Sequence, residues 1–227
     1  SDGSLGEMCG NGARCVCRYA CECGYAGDTV RVETTAGLVT GWRQSRDRFR
    51  IRLNTPTVLE TERVLTLDGE TYCCGYAELG NPGIPHLTVE IPDLLLRIDD
   101  EEALGALRML GRKLRYHPAL PKGANVNFYQ VTGPQHLRQL TYERGVEDFT
   151  LACGTGAGSL AAVLTASGRM DGANVQVQTA GGDLDVEVEM EAGRVENLYL
   201  TGAALIVYSG ELAEEFLQPV VIEDIMD

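Results

Sequence analysis

Met8-Cys9-Gly10-Asn11-Gly12-Ala13-Arg14-Cys15 is repeated in outline far down the chain by Ala152-Cys153-Gly154-Thr155-Gly156-Ala157. Both contain Cys-Gly-(Asn/Thr)-Gly-Ala and both run into a helical pattern, residues 14–23 (RCVCRYACEC) after the first and 158–167 (GSLAAVLTAS) after the second. A cysteine at the mouth of a helix faces unpaired backbone N–H groups and the positive end of the helix dipole. That setting is expected to lower the thiol pKa and make the thiolate available. The glycines let the backbone close tightly on an anion held there. Two such mouths predict two mirrored halves, each presenting one cysteine to a shared substrate.

Outside these mouths the pattern is strand-rich. Residues 29–40 alternate apolar and polar around Ala36-Gly37, and 49–54 alternate again. Pro56 marks a change of direction. Residues 64–67, 72–78, 87–91, 125–131, 137–142, 175–178, 184–190 and 195–201 read as further strands. Asn81-Pro82-Gly83-Ile84-Pro85-His86 reads as a stiff loop, because each proline fixes φ and disfavours helix in its neighbour. A helix opens on the acids 99–102, carries Leu104, Leu107 and Leu110 on one face and ends among Arg112, Lys113 and Arg115. Residues 211–216 read as a short helix or as a strand continuation. The expected class is α+β: two pseudo-symmetric domains, each a curved, mostly antiparallel sheet wrapped around a central helix. Residues 1–56 with 206–227 would form the first domain and 57–205 the second.

The chain has 227 residues, of which 44% are hydrophobic and 23% charged, enough for a sizeable core. Its formal net charge of -14 argues against nucleic acid or an anionic membrane as partner. No apolar run approaches the roughly 18 residues of a membrane span; the longest near the end, 203–208 (AALIVY), is strand-sized. Of eight cysteines, five crowd into residues 9–23 of a long chain, which reads as free thiols in a reducing compartment rather than a secreted disulfide scaffold. On a helix, Cys17 and Cys21 share a face from which Cys15 and Cys23 diverge. Structural zinc favours C-x(2–4)-C knuckles, so these cysteines are expected to pack and no metal is expected. A cysteine-rich metal module is the rival from another class.

Two helix-mouth thiols suit abstraction of a weakly acidic proton. One, as thiolate, takes the proton from one face of a carbon; the other, as thiol, returns a proton to the opposite face. Backbone N–H groups at Gly10-Asn11 and Gly154-Thr155 would hold the neighbouring carboxylate. His86 and Glu143 are candidates to tune the two thiols, and Arg144 could grip a carboxylate bidentately.

The two cysteine motifs, Glu143-Arg144-Gly145, His117-Pro118, Asn125-Val126-Asn127-Phe128 and Leu200-Thr201-Gly202 together resemble the diaminopimelate epimerase family over nearly the whole chain. The resemblance implies Cys9 and Cys153 as acid–base thiols, with His86 and Glu143 as their tuning partners. It implies Gly10, Asn11, Gly154 and Thr155 at the reacting end of the substrate, and Asn81, Asn125, Glu143 and Arg144 as further substrate contacts. It also implies no cofactor, interconversion of LL- and meso-diaminopimelate in lysine and peptidoglycan precursor synthesis, a cytoplasmic location and, commonly, a homodimer. Four departures stand out. Family members carry on the order of sixty residues ahead of Ser1, enough for several strands. The family's Asn-Pro-His is spread over residues 81–86, the segment from Glu143 to Cys153 is one residue longer, and Gly158-Ser159 replaces Cys-Ala. The alternatives are a racemase of another amino acid, such as histidine, on the same scaffold, or an inactive or truncated paralogue. Asn125, Glu143 and Arg144, which suit a second ammonium and carboxylate, favour diaminopimelate.

Overall fold

The computed structural model describes residues 8–35, 37–211 and 213. The element order is α1 (Gly10–Glu22), β1 (Thr29–Thr34), β2 (Gly37–Arg43), β3 (Arg48–Arg52), β4 (Pro56–Leu67), β5 (Glu70–Leu79), β6 (Ile84–Glu90), α2 (Leu94–Ile98), α3 (Glu101–Arg115), β7 (Asn125–Gly133), β8 (His136–Glu143), β9 (Asp148–Thr150), α4 (Gly154–Ala166), β10 (Val175–Thr179), β11 (Gly182–Glu191) and β12 (Arg194–Ala203). This is the mixed α+β class expected.

One sheet runs through all of it, in the order β1-β2-β3-β12-β11-β10-β8-β7-β6-β5-β4, with β9 on β8. Only β6–β7 and β8–β10 are parallel. α4 packs against β4, β5, β6 and β7 and also against β11 and β12, far along the strand order, so the sheet curls around this helix. Ala-, Gly- and Leu-rich α4 is buried from Gly154 through Leu164, as a helix apolar on all sides must be.

The sheet's two faces explain the strand patterns. On β6, β7 and β8, Leu87, Val89, Val126, Phe128, Leu140 and Tyr142 point one way and form a core with Leu107 and Leu114 of α3. Successive side chains alternate across a strand, so His86, Asn125, Asn127, Gln139 and Thr141 occupy the opposite face. A second core joins α1 through Ala13 and Cys17 to Ile51, Leu53, Leu160, Val186 and Leu200.

Several sequence expectations need correction. The predicted loop 81–86 is a turn only as far as Gly83, since Ile84, Pro85 and His86 open β6. Pro85 is tolerated because at that position β6 pairs with β5 alone, and the ladder to β7 begins at His86. Pro56, read as a change of direction, stands at the first position of the long strand β4. Short α2 was not foreseen. The apolar stretch 203–208 is not a strand beyond Ala203; Leu205, Ile206, Val207 and Tyr208 are exposed. Ala36 of the predicted first turn lies outside the described residues. So does segment 211–216 apart from Glu211 and Ala213, and so does most of 206–227.

Candidate active site

Cys9 and Cys153 are N-caps of α1 and α4, with backbone angles of φ -128, ψ 107 and φ -120, ψ 104. Each sulfur accepts the N–H three residues on, from Gly12 at 3.3 Å and from Gly156 at 3.4 Å. Each cap carbonyl receives the fourth N–H, from Ala13 and from Ala157, both at 2.9 Å. The Gly10, Asn11, Gly154 and Thr155 N–H groups are therefore left without intrahelical partners. The correspondence runs the length of both helices. Each has thirteen residues, and each closes through a glycine in the left-handed region, Gly24 at φ 71 and Gly168 at φ 72.

The two mouths meet. A Cβ placed on Gly10 would lie 3.7 Å from the Gly154 Cα, and one on Gly154 would lie 3.7 Å from the Gly10 Cα. Both would press on Leu200 Cδ2, at 3.2 and 2.7 Å, so a side chain at either position would displace Leu200. Asn11 Nδ2 reaches across to the Ala152 carbonyl at 3.5 Å. Cys153 is buried while Cys9 is exposed. Beside the junction a cleft of about 680 Å³ is walled by Asn11, Arg14, Glu143, Phe149, Ala152 and Leu184, among others.

The expected lowering of the Cys153 pKa is not what the surroundings impose. Burial pushes this thiol from 9.0 up to about 11; the charges of Glu143 and Cys9 add to the rise, while the Thr155 hydroxyl and the Gly156 N–H oppose it. The rise disfavours the thiolate by on the order of 3 kcal/mol. A helix end typically returns only ~0.3–1 kcal/mol, so desolvation wins and Cys153 rests as the thiol. Glu143, at the end of β8, is half-buried.

His86 is fully buried, and burial together with the nearby Arg144 charge lowers its pKa to about 3. It is a neutral ring and not a cationic partner for a thiolate. An unfolded histidine titrates near ~6.5, so between that value and about 3 the unfolded chain binds more protons than the native one. Stability is therefore expected to fall progressively as pH drops below about 6.5 and to carry no His86 contribution above it. Urea midpoints measured across that range for the native chain and for His86→Gln check this: the native slope should exceed the variant's.

Asn125 is buried, and its Oδ1 accepts the Arg144 backbone N–H at 2.7 Å. Arg144 Nη1 donates to the Lys122 carbonyl at 3.3 Å. Asn81 is exposed in the turn between β5 and β6, at the same end of the sheet as Asn125 and Arg144. The fold thus gathers the predicted residues in two sets, Cys9, Gly10 and Asn11 against Cys153, Gly154, Thr155 and Glu143, and Asn125 with Arg144 and His86. Among the described residues no side-chain hydrogen bond joins Asn81 to either set.

Two features escaped the sequence. Arg14 is buried at the junction, with Nη2 on Asn11 Oδ1 at 2.8 Å, Nη1 on the Gly10 carbonyl and Nε on the Ala203 carbonyl, both at 3.4 Å. Burial lowers the pKa of this guanidinium, and the neighbouring Cys15 and Cys9 oppose that lowering. Its position in the quoted motif was the available signal. The other feature is Asn127, tied to His86, Gln139 and Thr141 beneath Gly156. Its signal was the Asn-Val-Asn spacing, which puts Asn127 on the same strand face as Asn125.

The fold is shared with solved structures of racemase, epimerase, phenazine-biosynthesis and isomerase proteins. The chain superposes on a probable proline racemase from Agrobacterium radiobacter K84 with a TM-score of 0.69 at 21% identity, covering 94% of this chain and 70% of that one. For a hydroxyproline epimerase from Agrobacterium vitis the TM-score is 0.63 at 22% identity, covering 84% and 62%. The diaminopimelate epimerase family model matches residues 80–207. The diaminopimelate epimerase of Aquifex aeolicus (strain VF5) is 38% identical over 221 residues, 96% of this chain and 74% of that protein. That of Archaeoglobus fulgidus is 37% identical, covering 93% and 73%. The chain belongs to the diaminopimelate epimerase family. No helix among the described residues is long and apolar enough to cross a membrane.

Proposed function

We propose that this chain is an isomerase that converts LL-diaminopimelate to meso-diaminopimelate without a cofactor, with Cys9 and Cys153 as the two acid–base groups. The observation that carries the proposal is the meeting of two congruent helix mouths, each capped by a cysteine. One sulfur, as thiolate, takes the α-hydrogen; the electron pair left on carbon delocalises into the adjacent carboxylate; the other sulfur, as thiol, delivers a proton to the opposite face. In the resting protein Cys153 is the thiol. The carboxylate accepts from the Gly10, Asn11, Gly154 and Thr155 N–H groups, which take up the developing charge without reorganisation. Asn81, Asn125, Glu143 and Arg144 bind the remainder of the substrate. Burial keeps Cys153 protonated, and the Glu143 charge adds to that effect. The described residues up to 56 and those from 57 to 205 belong to the two pseudo-symmetric domains, and the enzyme works in the cytoplasm as a homodimer.

The test is turnover of LL-diaminopimelate in deuterated water. Meso product carrying deuterium at the inverted α-carbon, formed without added pyridoxal phosphate or metal, is the expected result. Inversion of histidine but not of diaminopimelate would transfer the activity to another amino acid, and absence of any α-exchange would overturn it.

A further inference from the structure

Beneath the α4 mouth lies a closed polar network contributed by three strands. Asn127 Nδ2 donates to the Leu87 carbonyl at 3.1 Å. A carbonyl can only accept, so the amide's orientation is settled by that contact. The same Nδ2 stands 3.3 Å from His86 Nδ1. At the other end, Asn127 Oδ1 accepts from Gln139 Nε2 at 3.0 Å and from Thr141 Oγ1 at 2.9 Å, and Gln139 Nε2 also donates to Thr141 Oγ1 at 2.8 Å. Asn127, Gln139, Thr141 and His86 are all buried. An imidazole nitrogen facing an amide N–H must be the acceptor, which puts the ring hydrogen on Nε2. That nitrogen is buried and has no partner among the described residues.

We propose that Asn127 is a positioning residue that locks His86 as the neutral Nε2–H tautomer, so that His86 serves the site as a fixed hydrogen-bond donor and not as a proton acceptor. Gln139 and Thr141 fix Asn127, Asn127 fixes the ring, and the ring offers one N–H to an acceptor arriving with the substrate or to a thiolate. A buried donor with no acceptor is costly, so an acceptor reaching this nitrogen would bind favourably. The catalytic significance of this donor rests on the epimerase reading above; the tautomer does not.

The chain has three histidines, so uniform 15N-histidine labelling of the full chain gives three rings to follow. Long-range 1H–15N correlation at neutral pH should show His86 bearing hydrogen on Nε2 and none on Nδ1. His86→Gln identifies its signals. Asn127→Asp turns the group facing Nδ1 into an acceptor and should move hydrogen to Nδ1. Thr141→Val loosens Asn127 without touching the ring and should leave the Nε2–H pattern intact. Hydrogen on Nδ1 in the native protein overturns the proposal, and so does an unchanged pattern in folded Asn127→Asp. If that variant does not fold, the native spectrum alone decides. In the epimerase assay, Asn127→Asp should lower kcat by about tenfold or more, the scale of one lost hydrogen bond near ~1.4 kcal/mol, with KM changing less. A native Nε2–H ring in a protein with no epimerase activity would sink the function and spare the tautomer.

Discussion

Cys153→Ala should lower kcat for diaminopimelate inversion by about 10²–10⁴-fold, the usual contribution of a positioned acid–base group. Cys9→Ala should do the same, because each direction of the reaction needs one sulfur to take a proton and the other to give one. The two substitutions should not add: once one sulfur is gone inversion has already stopped, so the double variant should resemble either single one. Steady-state rates from both stereoisomers, with circular dichroism to show retained fold, check this. Full inversion by either alanine variant would dispose of the two-thiol mechanism. The measurement also separates the thiols, since Cys153 is buried and rests protonated whereas Cys9 is exposed.

Gly156→Ala should destabilise the fold by about 1–3 kcal/mol, the usual scale of overpacking. For a chain of this length that lowers Tm by roughly 2–4 °C per kcal/mol. Helix propensity argues the other way, by as much as ~1 kcal/mol in favour of alanine. Sterics win because the new Cβ would lie 2.2 Å from Asn127 Oδ1 and 2.8 Å from Gln139 Nε2. Asn127 cannot retreat without giving up bonds to Leu87, Gln139 and Thr141. Gly105, inside α3, is the internal control. A Cβ there would meet nothing within 4 Å, so Gly105→Ala should raise stability by about 0.5–1 kcal/mol. Thermal unfolding of the pair checks both signs, and a Gly156→Ala protein more stable than native would show that the helix mouth is not pressed against the network.

The helix mouths were legible because a cap is a local device: Cys-Gly-x-Gly-Ala specifies the turn, the sulfur acceptor and the helix start within a few residues. α3 was legible for the same reason, with Asp100 accepting the Ala103 N–H at 2.8 Å and Arg112, Lys113 and Arg115 in its last turn. What failed was non-local. Two prolines in 81–86 carry the local signature of a loop, yet Pro85 fits a strand because its neighbour across the missing ladder is absent. The Cys153 pKa was misjudged because a helix tip can be read from sequence and the sheet that buries it cannot. His86 was legible as a tuning candidate, but its neutral state was not, because the strands carrying Asn127, Gln139 and Thr141, distant in the chain, close around the same face.

The two congruent helices sit in unequal surroundings. α4 is enclosed by the sheet, whereas α1 leaves Cys15, Val16 and Tyr19 exposed. Native-state hydrogen–deuterium exchange should register this as α4 amides that open only with global unfolding and α1 amides that open at a lower free energy. A ligand clasped between the sulfurs would then find one jaw stationary and the other yielding, and entry and departure would fall to the α1 side.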